Sequence, residues 1–127
     1  MRFPTLPEVL FIYRLIVAET GGQLGLRDQG LLESALKAAE NRHYYDQADV
    51  IACAATYAYH LRMAHAFIDG NKRVAAAVSE TSLLFNGWQL DLDNLELVDM
   101  FLKIADGALR RDAIEDAFRH RVVSTGS

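Results

Sequence analysis

Apolar positions recur at spacings of three and four along almost the whole chain, which is a helical period. Thr5-Leu-Pro-Glu8 has the form of a capping box, and Leu6, Leu10, Tyr13 and Val17 share one face of the helix that follows. Gly21 and Gly22 end that helix. Asp28 is a plausible N-cap for a second helix, with Leu31, Leu32, Ala35, Leu36 and Ala39 as its buried stripe. Asp46 or Asp49 opens a third, which runs through Ala54, Tyr57, Ala58 and Leu61 toward His65. Val74 to Phe85 reads as a buried helix, stopped by Asn86-Gly87. Its small side chains at Ala75, Ala76 and Ala77 let neighbours approach the backbone, which suits a central position. Trp88 to Leu92 alternates apolar and polar residues, so a short extended connection is expected there. Two further helices, Asn94 to Ala105 and Asp112 to Arg121, place Leu97, Val98, Phe101, Ile114, Ala117 and Phe118 in the core. The pattern predicts an all-α fold, a compact bundle of about six helices around a central motif helix. One domain is expected over residues 1–123, with a loose tail over 124–127.

Composition narrows the function classes. A chain of 127 residues with 51% hydrophobic and 24% charged residues is long enough for one buried core. The net charge of -4 and pI of about 5.5 give no general attraction to nucleic acid, so no direct nucleic-acid partner is expected. The cations cluster only at Lys72-Arg73, Arg110-Arg111 and Arg119 to Arg121, and the last two groups fit helix ends. Cys53, the single cysteine, cannot form an internal disulfide and reads as a small core residue. Without a secretory n- or h-region or a long apolar run, the expectation is a cytoplasmic protein with no membrane partner.

The candidate chemistry lies in His65-Ala-Phe-Ile-Asp-Gly-Asn-Lys-Arg73. His65 has an unperturbed pKa near neutrality and could take a proton from a hydroxyl nucleophile. Asp69 is a hard oxygen ligand suited to Mg²⁺ that bridges phosphate oxygens. Gly70 permits a left-handed turn and a close approach of backbone to ligand. Asn71, Lys72 and Arg73 should fall in the first turn of the next helix, where free N–H groups and the macrodipole already favour an anion. Phe67 has no reactive group and pins the loop to the core. Taken residue by residue, an ordinary Asp-Gly turn followed by a solvated helix start is the competing reading. His60 and His65 are five apart, which does not suit two zinc ligands on one helix face. His43, Tyr44 and Tyr45 are read as lying between helices, either as a packed loop or as a target-docking flap. His120 sits among arginines at a helix end and is assigned no chemistry.

These residues resemble the central motif of the Fic/Doc family, His-Pro-Phe-x-(Asp/Glu)-Gly-Asn-x-Arg, at His65, Phe67, Asp69, Gly70, Asn71 and Arg73. Ala66 stands where proline is common, and Val74 where many Doc-type sequences have threonine. Upstream, Gly21-Gly22-x-x-Gly25-Leu26-Arg27-Asp28 followed by Gly30-Leu31-Leu32-Glu33-Ser34-Ala35-Leu36 is similar to the segment that precedes the motif in death-on-curing (Doc) toxins. Adenylyl-transferring members usually carry a second glycine after the motif asparagine, whereas this chain has Lys72, as Doc-type members do. The resemblance therefore implies a protein kinase that uses ATP and Mg²⁺. His65 would be the base for a Ser/Thr hydroxyl, Asp69 the metal ligand, and Gly70, Asn71, Lys72 and Arg73 the phosphate site. By the same resemblance the target is translation elongation factor Tu. The self-inhibitory (Ser/Thr)-x-x-x-Glu-(Gly/Asn) form of many Fic proteins is missing, since Leu36 lies four residues before Glu40-Asn41. Restraint is then expected from a separate Phd-like antitoxin. Transfer of a nucleotidyl group by the same histidine, and a non-enzymatic antitoxin-binding corepressor, are the alternatives.

Overall fold

The first helix starts where the capping box places it: Thr5 Oγ accepts the Glu8 N–H at 3.3 Å and the Glu8 carboxylate accepts the Thr5 N–H at 2.9 Å. The structure, a computed structural model, describes residues 1–126. Helix α1 (Leu6–Thr20) ends at Gly21 with φ 71°. Asp28 caps α2 (Gln29–Asp46) by accepting the Leu31 N–H, and Asp49 caps α3 (Val50–Ala64) by accepting the Ala52 N–H. Of the two acids proposed to open α3, Asp49 is thus the cap and Asp46 closes α2. Helix α4 (Asn71–Phe85) carries the second half of the motif. After it come β1 (Trp88–Leu90), α5 (Asn94–Ala105), α6 (Arg111–Arg121) and β2 (Val122–Ser124). The two strands pair antiparallel, with Gln89 opposite Val123. No helix among the described residues is long and apolar enough to cross a membrane.

Helix α3 is the most deeply buried element, with every residue from Ile51 to Ala58 buried, and Leu61 as well. Its alanines 52, 54, 55 and 58 carry nothing beyond Cβ, so α2, α4 and α6 all pack against it. Helix α4 contacts both α3 and α1, and buries Val74, Ala75, Val78, Ser79, Ser82 and Leu83. Two apolar clusters result. One joins α1, α2 and α3 to Ala66, Phe67 and the start of α4. The other gathers Ile51, Ala54, Ala58, Leu83, Ile104, Ile114 and Phe118 around the far side of α3. The first lies directly beneath the His65–Arg73 stretch, and each large side chain buried there contributes roughly 1.5–3 kcal/mol of hydrophobic stabilisation.

Several expected core positions lie elsewhere. Leu31 is 43% exposed, because Leu32, Ala35, Leu36 and Ala39 already fill the inward stripe of α2 and Leu31 falls at its edge. Val98 is 57% exposed on α5, a surface helix whose fully buried residue is Ile104. On α1 the buried line is Val9, Tyr13 and Val17, with Leu6 and Leu10 half-buried beside it. His43, Tyr44 and Tyr45 belong to the last turns of α2 rather than to a segment between helices. No breaker interrupts the helix until Gln47, at φ 58°, caps it. Ser124, the first residue of the expected tail, pairs with Trp88 in the small sheet. The last residue of that tail, Ser127, lies outside the described residues.

Candidate active site

Helix α3 ends on His65, which adopts a left-handed conformation (φ 47°, ψ 44°) and so turns the chain out of the helix. The next two residues, Ala66 and Phe67, are each 2% exposed. Phe67 stacks on Tyr13 with ring centroids 4.0 Å apart and planes 15° from parallel. The loop backbone is tied to the segment between α1 and α2. Ala66 C=O accepts the N–H groups of Arg27 (2.7 Å) and Asp28 (3.0 Å), and Ile68 N–H donates to Gly25 C=O at 3.0 Å. Leu26 and Phe67 accordingly form an antiparallel bridge. The Tyr13 hydroxyl donates to Gly25 C=O at 3.1 Å and accepts the Gly25 N–H. Asn71 closes the loop on itself: Oδ1 accepts the Phe67 N–H at 3.0 Å, and Nδ2 donates to the Phe67 C=O at 2.8 Å.

Gly70 is the N-cap of α4 at φ 88°, a backbone conformation that favours glycine, and no side chain caps this helix. The intrahelical ladder starts at Val74 N–H to Gly70 C=O (2.8 Å), which leaves the N–H groups of Asn71, Lys72 and Arg73 without intrahelical acceptors. These amides border an open cleft of about 440 Å³. All six residues singled out from the sequence line it: His65, Asp69, Gly70, Asn71, Lys72 and Arg73. His65, Asp69, Lys72 and Arg73 are exposed. None of the ion pairs among the described residues uses Lys72 or Arg73. The cleft thus combines a base, a carboxylate, two unengaged cations and an uncapped helix start, a set able to hold a polyanion beside a hydroxyl nucleophile.

Three further lining residues, Thr20, Gly22 and Ile68, were not singled out as site residues. Gly22 belongs to the glycine-rich stretch, so its residue type was a signal, but its partner is 47 positions away. The Asp69 carboxylate accepts the Gln23 N–H through Oδ2 at 2.7 Å, while its Oδ1 has no hydrogen-bond partner among the described residues. His60 lines a separate cleft with Tyr59, Arg110, Arg111 and Asp112. Burial there, helped by Arg111 and Arg42, pushes its pKa below the usual imidazole value. Cys53 is fully buried, and burial raises its thiol pKa to about 11, far from a nucleophile's range.

Comparison with known proteins converges on the same region. Toxin Doc from Mycolicibacterium smegmatis is 40% identical over 75 residues. That match covers 58% of this chain and 58% of the relative, so the chain spans a little over half the length of that protein. The model of the Fic/DOC family matches residues 3–83, from ahead of α1 into the last turns of α4. That match takes in well over half of the chain and every residue lining the cleft, and the chain therefore belongs to the Fic/DOC family.

Proposed function

We propose that this chain is a Doc-type toxin that transfers the γ-phosphoryl group of ATP to a Ser/Thr hydroxyl of a translation factor, with elongation factor Tu as the target that the resemblance suggests. The observation that carries the reading is the convergence of His65 with Lys72 and Arg73 on one open cleft at an uncapped helix start. In this scheme His65 takes the hydroxyl proton as the oxygen bonds to the γ-phosphorus, and the bond from that phosphorus to the bridging oxygen breaks to release ADP. The backbone N–H groups at the start of α4, with the Lys72 ammonium and the Arg73 guanidinium, hold the phosphates. Because both polar ends of the Asn71 amide are engaged on Phe67, an anion contact at this position falls to its backbone N–H. Lys72 takes up the space that a glycine would leave for the α- and β-phosphates in an adenylyl transferase, which favours the opposite nucleotide orientation.

Asp69 fits Mg²⁺ in the mode that this ion prefers: one carboxylate oxygen from the protein, the rest of the shell from water and phosphate. Its Oδ1 has no partner among the described residues, which also contain no group of three or more His, Cys, Asp or Glu able to cage a metal. When bound, Mg²⁺ would neutralise charge on the bridging phosphate oxygens. Regulation would come from a Phd-like antitoxin. Glu40, the one glutamate followed by asparagine or glycine, pairs with Lys37 at 3.2 Å and is not engaged with Arg73. A furrow between α1 and α4, lined by Pro7, Glu8, Phe11, Ile12, Thr81 and Phe85 with Phe11 61% exposed, would offer such a partner a surface.

The test is intact-mass analysis of elongation factor Tu after incubation with this protein, ATP and Mg²⁺, beside a His65→Ala control. A phosphoryl-sized gain lost in the control is the expected result. An AMP-sized gain would instead make the protein a nucleotidyl transferase. No gain, together with full biological effect of the control, would point to the corepressor.

A further inference from the structure

The Asp69 carboxylate is not held by its own loop. Its Oδ2 accepts the backbone N–H of Gln23 at 2.7 Å, and the flank of the side chain lies against Gly22. A Cβ on Gly22 would sit 3.3 Å from Asp69 Cβ, 3.5 Å from Oδ2 and 3.7 Å from Cγ. The first of these is tighter than ordinary van der Waals contact. Gly22 has no positive φ, so its backbone does not demand glycine; a Cβ there would instead require Asp69 to give way by a few tenths of an ångström. The neighbouring Gly21 is the converse case, with φ 71° and nothing within 4 Å of a built Cβ. One glycine ends the helix and the other accommodates the acid.

We infer that the Gly22–Gln23 turn after α1 is a positioning device for the proposed metal ligand. The Gln23 N–H takes up Oδ2, and the missing side chain at Gly22 lets the carboxylate lie against the turn, so that Oδ1 is the oxygen left for the cation. This rests on the reading of Asp69 as the Mg²⁺ ligand. A ligating carboxylate is commonly oriented by a hydrogen bond in this way, and disturbing such a partner costs about 10–100-fold in metal affinity.

The experiment measures binding of Mn²⁺ with a non-hydrolysable ATP analogue, by isothermal titration and by the Mn²⁺ electron paramagnetic resonance signal, on full-length variants. Gly22→Ala is expected to weaken Mn²⁺ binding by about tenfold. Gly21→Ala should lower the unfolding temperature with little effect on Mn²⁺. In an Asp69→Asn background, Gly22→Ala should add nothing, a non-additivity that a general loosening of the fold would not produce. If Gly22→Ala does not fold, Gln23→Pro, which removes the N–H that Oδ2 accepts, serves in its place. Unchanged Mn²⁺ affinity in Gly22→Ala, or an equal loss in Gly21→Ala, overturns the inference while leaving Asp69 as ligand. Unchanged affinity in Asp69→Asn overturns the metal assignment itself and takes the inference with it.

Discussion

His65 is a non-glycine residue at φ 47°, and this conformation separates its chemical role from its structural cost. An L-residue in the left-handed helical region is disfavoured by roughly 1–2 kcal/mol, a penalty that glycine does not carry. The His65 side chain is exposed and makes no hydrogen bond or ring contact among the described residues, so removing it forfeits almost nothing in packing. His65→Gly therefore gains the relief of strain and loses only the extra freedom of glycine in the unfolded chain, about 0.4–1 kcal/mol. The net is a stabilisation of about 1 kcal/mol or slightly less, or a rise of about 4 °C in unfolding temperature for a chain of this size. His65→Ala keeps the strain and should unfold about 1 kcal/mol below the glycine variant. Thermal unfolding by circular dichroism measures both. The phosphoryl-transfer assay should find both inactive, since neither retains a base. A glycine variant less stable than the alanine variant would refute the strain argument. Retained transfer in either would refute the assignment of the base.

Other perturbations follow from the same geometry. Asn71→Ala deletes two hydrogen bonds and leaves the Phe67 N–H and C=O without partners, so a loss of about 2 kcal/mol at a net 1 kcal/mol per bond is expected in chemical denaturation. Glu80 is half-buried in a leucine-lined hollow, and desolvation raises its pKa above the ordinary 4.5. The folded state then holds this proton more tightly than the unfolded chain, so wild-type stability falls as pH rises past that value. Glu80→Gln should unfold like wild type near pH ~4 and at a higher temperature near pH ~8, and a gap independent of pH would contradict the burial argument. Lys72→Gly clears the space beside the phosphates and should abolish phosphoryl transfer in intact-mass analysis. If product and nucleotide orientation were both unchanged, the argument from Lys72 would fail.

Much of this was legible because it is local. Capping acids, glycine stops and a helical apolar period all act within a few residues, and the six helices lie where those signals put them. The motif places its chemistry on one loop and one helix turn, so its residues line a common cleft. Long-range contacts were not legible. The Gln23 N–H to Asp69 contact spans 46 positions, and the pairing of Trp88 with Ser124 spans 36. Nothing in either segment alone specifies its partner. Gly22 shows the limit most clearly, because glycine is normally read as a backbone requirement, whereas here no positive φ calls for it and the close neighbour is a side chain 47 positions away. Leu31 and Val98 failed for a simpler reason: an apolar residue at the edge of a helical stripe satisfies the period whether or not a neighbour covers it.

The alanine at position 66 bears on how such a site stays rigid. Proline there would stiffen the loop by removing freedom from the unfolded chain, worth about 0.4–1 kcal/mol. In this chain five hydrogen bonds fix the same stretch: two accepted by Ala66 C=O, one donated by Ile68 N–H, and the pair between Asn71 and Phe67. At a net value of about 1 kcal/mol each they outweigh the proline contribution several-fold, before the stacking of Phe67 on Tyr13 is counted. The loop therefore has a source of order besides a proline at 66, and the fully buried Val74 likewise serves the apolar cluster beneath. The division of labour is sharp. Residues with reactive groups, His65, Lys72 and Arg73, are exposed and unengaged, while Tyr13, Gly25, Phe67 and the side-chain amide of Asn71, which have no step in the proposed chemistry, hold the geometry. Among these side chains only Asp69 belongs to both sets, with one oxygen committed to the turn after α1 and the other available to the cleft.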